Sequence, residues 1–167
     1  MTQFPLHPDT PEQGLALAEL FEGRGLDLDQ LYAQMKARMD AEGLAYAKRT
    51  HTYNSRRAQE LAKWAVKQGA TSIHGLLYSV YFVEGANLAN VDVLVATAEK
   101  AGLDGVEARR VIEERAMASA VDADWARARS IGVTGVPTYV ANRMGVVGAQ
   151  PYEALEALAE KAGARRR

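Results

Sequence analysis

The residues of this chain whose types and spacing suit chemistry gather between residues 130 and 151, SIGVTGVPTYVANRMGVVGAQP. Gly132 and Gly135 punctuate the approach to Pro137. Thr138, Tyr139 and Val140 then read as a strand, Asn142-Arg143 as a hairpin turn and residues 144–147 as the returning strand. A proline at the first residue of a strand cannot donate a ladder hydrogen bond. A tight approach of this kind can hold the preceding bond in the cis form, about 0.5–1 kcal/mol above trans, though on the residues alone an ordinary trans proline at a strand start is the expectation. The useful groups there belong to the backbone. With the bond in that form, the N–H and C=O of Val136 are left along an edge, where an extended peptide can pair with them as a strand does. The alternative is architectural: the bond shapes the turn and nothing binds.

Other chemistries find little support. The three histidines, His7, His51 and His74, fall on separate segments without the spacing of a metal site, so no metal is expected. His7, at the end of a short strand expected over residues 4–6, is a candidate base or polar contact; otherwise it is a half-exposed strand-end histidine. No G-x-S-x-G elbow or phosphate loop is present, and Gly145-Val146-Val147-Gly148 is too short and wrongly placed for a dinucleotide. There is no cysteine, so the chain as given has no thiolate for disulfide exchange and no catalytic residue of that kind.

Composition narrows the classes further. At 167 residues and 48% apolar, the chain has material for one domain with a real core. Twenty basic residues against 21 acidic leave a net charge of −1, which points away from nucleic acid and anionic membranes. The basic tip Arg165-Arg166-Arg167 reads as a solvated tail. No apolar stretch reaches the roughly 18 residues of a bilayer span, and the first ten residues lack the build of a signal peptide, so a cytoplasmic location is expected.

The elements that must position these residues are mostly helical. Thr10-Pro11-Glu12-Gln13 reads as a capped start of a helix running to about Gly23. Asp27 caps a second helix, with Leu28, Leu31, Tyr32, Met35 and Met39 at helical spacing until Gly43. The Met35 and Met39 pair reads as a core stripe, or as an adaptable surface for extended substrates. Residues 44–53 are a short strand or an irregular link, with Arg49 and His51 exposed. Asn54 caps a helix over 56–68 that ends at Gly69. Residues 72–84 form a helix burying Ile73, Leu76, Leu77, Val80 and Tyr81. Asn90 and Asp104 cap helices to Lys100 and about Arg115, and a further helix spans 118–130. Pro151 suits the first turn of the last helix. No repeat, low-complexity tract or linker divides the chain.

Two motifs carry a resemblance. Gly132, Val133, Gly135, Val136 and Pro137 fit Gly-Val-x-Gly-Val-Pro. Gly145, Val146, Gly148, Ala149, Gln150 and Pro151 fit Gly-Val-x-Gly-Ala-Gln-Pro. At this separation they resemble the C-terminal half of the DsbA-like thioredoxin family, where the first supplies the cis-proline loop and the second leads into the last helix. Upstream, residues 4–11 (FPLHPDTP) are similar to the family's second strand and its exit. Asn54-Ser55-Arg56-Arg57-Ala58 with Leu61 resembles the helix start after the family's helical insertion, and Tyr81-Phe82-Val83-Glu84-Gly85 with Asn87-Leu88 a further family segment. The likeness covers nearly the whole chain and points to the group of polyketide-associated oxidoreductases and 2-hydroxychromene-2-carboxylate isomerases.

The resemblance implies an α/β, thioredoxin-like fold in a single domain over 1–167, with a large helical insertion over about 11–130. It implies a cis bond at Val136-Pro137 and thiol–disulfide oxidoreductase activity without a cofactor. Val136, Pro137 and His7 are the implied contacts to a thiol- or disulfide-containing peptide or a small thiol. The family's Cys-x-x-Cys opens the first helix after the first strand. This sequence opens at what matches the second strand, so the first β-α unit is expected to be absent and the chain redox-inactive. Two alternatives remain: an isomerase or glutathione-transferase-like relative that uses a bound thiol, and a non-catalytic binding module. In the family the first strand lies between the second strand and the cis-proline strand. Its absence would leave apolar sheet edges open to another chain, so the chain is expected to form a homodimer through them, to exchange strands or to rearrange its N-terminus.

Overall fold

Helix caps written into the sequence organise most of the computed structural model, which describes residues 1–165; of the basic tip, Arg166 and Arg167 lie outside the described residues. The chain divides into two compact units, one over His7–Asp122 and one made of Met1–Leu6 with the chain from Ala123 onward.

In the larger unit, β1 (Leu15–Ala16) pairs antiparallel with β2 (His51–Thr52), Leu15 opposite Thr52 and Ala16 opposite His51. Gly14 introduces this pairing at φ 90°, and a Cβ there would meet the Tyr53 ring at 2.5 Å, so only glycine passes. The helix expected from Thr10 onward is accordingly reduced to α1 (Leu17–Leu20), because the chain turns at Pro11 and Gly14 and pairs before it can coil. In α2 (Leu28–Ala41), the Asp27 carboxylate accepts from Asp29 N and Gln30 N, both at 3.0 Å.

The core of this unit lies among α3 (Arg56–Lys67), α4 (Ile73–Phe82), α5 (Val91–Lys100) and α6 (Gly105–Glu113). Leu61, Ala65, Ile73, Leu94, Ala98 and Ala108 are fully buried there. Each such leucine or isoleucine contributes about 1.5–3 kcal/mol by leaving water. Asn90 caps α5 by accepting from Asp92 N at 2.8 Å, and Asp104 caps α6 by accepting from Glu107 N at 2.7 Å. Asn54 acts one residue outside the N-cap of α3, which is Ser55. Its Oδ1 accepts from Arg56 N at 2.9 Å while its Nδ2 donates to Pro8 O and Thr10 O.

Other expectations change here. The methionine stripe of α2 is not core: α2 has no buried residue, Met35 is exposed, and half-buried Met39 accepts from Tyr78 Oη at 3.6 Å. Arg49 is not exposed, since its guanidinium lies 4.4 Å from the Tyr81 ring centre and 4.8 Å from that of Phe82. Its Nε is buried without a hydrogen-bond partner, so the ring faces carry that contact. His51 is exposed, as its position suggested. Leu76, Leu77 and Tyr81 are half-buried, with Ile73 and Val80 taking the inner face of α4.

In α7 (Ala118–Ser130) the chain passes into the smaller unit. There β3 (Thr138–Ala141) and β4 (Met144–Val147) form an antiparallel hairpin, with Thr138 opposite Val147 and Ala141 opposite Met144. Its two turn residues, Asn142 at φ 46° and Arg143 at φ 65°, both occupy the left-handed region, as a tight right-twisting hairpin demands. Beyond Gly148, α8 (Tyr152–Lys161) starts one residue after Pro151, which is its N-cap rather than its first turn, and buries Leu158. Residues 4–6 are not a strand. Leu6 N folds back to Phe4 O at 3.0 Å, and a bend and turn follow from Leu6 to Asp9. Among the described residues, β3 therefore pairs with β4 alone.

Candidate functional site

The alternation of an antiparallel ladder decides which backbone groups of β3 are free. Gly148 N donates to Pro137 O at 2.8 Å, so Pro137 and Gly148 face each other as a hydrogen-bonded pair. Hydrogen-bonded and open pairs alternate along such a ladder. With the register above, Tyr139 and Ala141 turn their backbone groups to β4, whereas Thr138 and Val140 turn theirs away. The result is an outer edge carrying two N–H and two C=O groups. Just before it stands Val136, whose backbone makes no hydrogen bond among the described residues. The Val136-Pro137 bond is cis.

This edge forms one wall of a groove of about 870 Å3 within the smaller unit. Residues 136–140 and Arg143 line it on the hairpin side, Arg127, Ala128 and Ile131 on the α7 side, and residues 1–4 complete it. The N-terminal segment is held by Gln3 N, which donates to Asp124 Oδ2 of α7 at 2.7 Å. Thr138 Oγ1 donates to Gly135 O at 2.6 Å and steadies the loop that leads to Pro137. Val136, Tyr139 and Val140 are each between 43% and 49% exposed, an unusual outlay of apolar surface for so short a stretch. The charged lining residues are Arg127 and Arg143; neither side chain has an ion pair among the described residues, and no carboxylate lines the groove.

The site residues expected from the sequence separate. Val136 and Pro137 lie together in the groove. His7 opens the larger unit, in the bend after Leu6, at φ 51° and half-buried, with its carbonyl accepting from Thr10 N. It is not among the groove's lining residues. Arg127, Arg143 and residues 1–4 were not legible as site residues. An arginine on an exposed helix end reads as solvated, and only its unpaired position against an apolar wall marks it out.

The other chemically notable cluster is structural. Glu60, fully buried on α3, receives Arg56 Nε at 2.6 Å, Arg115 Nε at 2.8 Å and Arg115 Nη2 at 2.7 Å. Burial pushes its carboxyl up, and the hydrogen bonds from Arg115 and Arg56 outweigh that, leaving it below the usual glutamate range. A carboxylate so held is a poor proton acceptor. It serves to tie α3 to Arg115 and, through Arg56 Nη2, to Ala118 O and Asp122. Among the described residues, no group of three histidines, cysteines or carboxylates is placed to hold a metal ion. Nor is any helix of the described residues long and apolar enough to cross a membrane.

Comparison with known proteins gives the family of the fold. The family model described as DSBA-like thioredoxin domain matches residues 1–159. The crystal structure of a probable DsbA oxidoreductase from Streptomyces coelicolor is similar at 30% identity and a TM-score of 0.81, covering 96% of this chain and 73% of that one. No protein with a curated description matches the sequence.

Proposed function

The chain belongs to the DSBA-like thioredoxin domain family, and we propose on that footing that it works in thiol–disulfide chemistry of the DsbA kind as the ligand-holding part of the fold. Its architecture is the α/β thioredoxin-like one with a helical insertion. The groove beside Val136 and Pro137 carries the reading: unengaged backbone groups, an apolar wall and room for an extended segment meet at one place. A thiol- or disulfide-containing peptide or a small thiol laid along it would pair with Val136 by strand-like hydrogen bonds.

The chemical step is assigned elsewhere. Disulfide exchange needs an attacking thiolate, and these 167 residues contain no cysteine. The chain by itself therefore binds without turning over, as a redox-inactive module. Two measurements test this. The purified chain is expected to reduce or oxidise no model disulfide above background. A disulfide-containing peptide is expected to bind in calorimetry, and Val136→Pro, which removes the free N–H, to weaken it about tenfold, the scale of one lost hydrogen bond. Dithiol-dependent turnover by this polypeptide, or binding indifferent to Val136→Pro in a folded variant, would overturn the reading.

A further inference from the structure

Although α2 runs for 14 residues, about 21 Å, it buries none of them. Its inner side rests on the larger unit through Tyr32, whose ring stacks on Tyr46, and through Met39 against Tyr78, while Lys48 pairs with Asp29 nearby. At about 100° a residue, Leu31 and Met35 fall on a stripe to one side of that contact, and both stay exposed. Leu26 and Leu44, just outside the two ends of the helix, are exposed as well. An apolar ridge of this kind marks a surface that meets another molecule. It lies within the larger unit and borrows nothing from the hairpin or its groove.

The charges along the ridge indicate what covers it. Elsewhere on α2 they are settled within the chain, Lys36 with Asp40 and Asp29 with Lys48. Asp27 and Arg38 fall on the side of Leu31, and neither has an ion pair among the described residues. Asp27 holds its cap with Oδ1 alone, because Asp29 N and Gln30 N both donate to that atom, and Oδ2 is left over. Eleven positions, about 16 Å of helix, separate the acid from the base. When α2 is laid antiparallel on a second copy, about a two-fold axis between Leu31 and Met35, each Arg38 comes over the other copy's Asp27. The same symmetry sets Leu31 against Met35 twice. A parallel pair would set acid on acid, base on base and the helix dipoles side by side.

We propose that this ridge is a self-association surface, on which two copies of the chain pack α2 antiparallel with an Asp27–Arg38 ion pair at each end. Helices of this length cover less than the roughly 1,200 Å2 of a standard interface, so the pair is weak and reversible. It needs neither the hairpin nor a thiol, and stands or falls apart from the function proposed above.

Sedimentation equilibrium of the full chain from about 5 to 500 μM is expected to show a monomer–dimer equilibrium that weakens as salt rises. Leu31→Glu is expected to leave a monomer throughout. Asp27→Lys and Arg38→Glu each set like charges together at both ends of the pair, and each is expected to weaken association about tenfold or more. Mixed in equal amounts, the two variants regain both ion pairs, so a heterodimer near the wild-type affinity is expected. Because Asp27 also caps α2, a second measurement leaves the cap intact. The chain has no cysteine, so a nitroxide on Gln34→Cys or on Leu44→Cys reports alone. Antiparallel packing puts the labels at position 34 within about 20 Å of each other and those at position 44 about 33 Å apart. A monomer across the whole range would leave the ridge to a foreign helix and sink the proposal. Dimerisation indifferent to Leu31→Glu, no gain on mixing two folded variants, or labels at position 44 as close as those at position 34 would sink it too.

Discussion

Arg115 grips both oxygens of Glu60 from 55 residues further along the chain, Nε to Oε2 at 2.8 Å and Nη2 to Oε1 at 2.7 Å. Arg115 reaches it from a left-handed backbone position at φ 56°, just past the end of α6. The contact joins the first helix of the core to the residues that follow the last, so it reports on the integrity of the whole helical unit.

Removing the charge of Glu60 should therefore be costly. Glu60→Gln keeps the shape but takes the carboxylate from Arg115 and one of two ion-pair partners from the largely buried Arg56, which keeps Asp122. Breaking such a pair costs about 3–5 kcal/mol, and the partial exposure of Arg115 argues for the lower end. Urea denaturation followed by far-ultraviolet circular dichroism is expected to show a loss of about 3 kcal/mol with an unchanged slope. A loss below about 1 kcal/mol would mean that water and the neutral amide satisfy the guanidiniums once the charge is gone.

The same group gives the fold an acid limb. Its folded-state value is depressed, so its contribution is complete above the unfolded-chain value of about 4.3 and fades as the pH falls through the lower folded value. Wild-type stability is expected to drop across that window, and Glu60→Gln to flatten the drop. Parallel acid limbs in the two proteins would assign the effect to other carboxylates.

Gly14→Ala tests the turn that replaces the expected first helix. The new Cβ would stand 2.5 Å from the Tyr53 ring and 2.9 Å from Thr52 O, at φ 90°. A loss of about 2 kcal/mol is expected, from steric and backbone strain together. A neutral result would mean that β1 and β2 separate at little cost.

Arg143→Gly should raise stability. Glycine suits the second position of this turn, and relief of the left-handed strain is expected to raise hairpin stability by about 1 kcal/mol. Thermal denaturation is expected to show the gain, and an unchanged or lower midpoint would mean that the turn holds no such strain.

What the sequence made legible follows from how local each signal is. The caps at Asp27, Asn90 and Asp104, the hairpin turn at Asn142-Arg143 and the helices they bound depend on side chains within a few residues, and they stand where the spacing puts them. Residues 4–6 and 10–23 misled because a strand needs a partner and a helix needs an uninterrupted backbone. Neither Phe4 nor Gly14 declares in sequence what it will meet. Val136 and Pro137 were visible through their motif. The arginines facing them were not, since an unpaired charge becomes informative only when the surface opposite it is known.

The turn at Asn142-Arg143 also sets the phase of the ladder. With a two-residue connection, Pro137, which has no N–H, falls on the side that faces β4, and the residues presented outward each keep a donor. A slip of one position would exchange the two sides, turning a proline toward the groove and hiding Thr138 and Val140 against β4. The donor pattern of the outer edge is thus decided at the hairpin tip, about 15 Å from Pro137 by strand rise. Changes in turn length there would alter which backbone groups that edge presents without altering any residue on it.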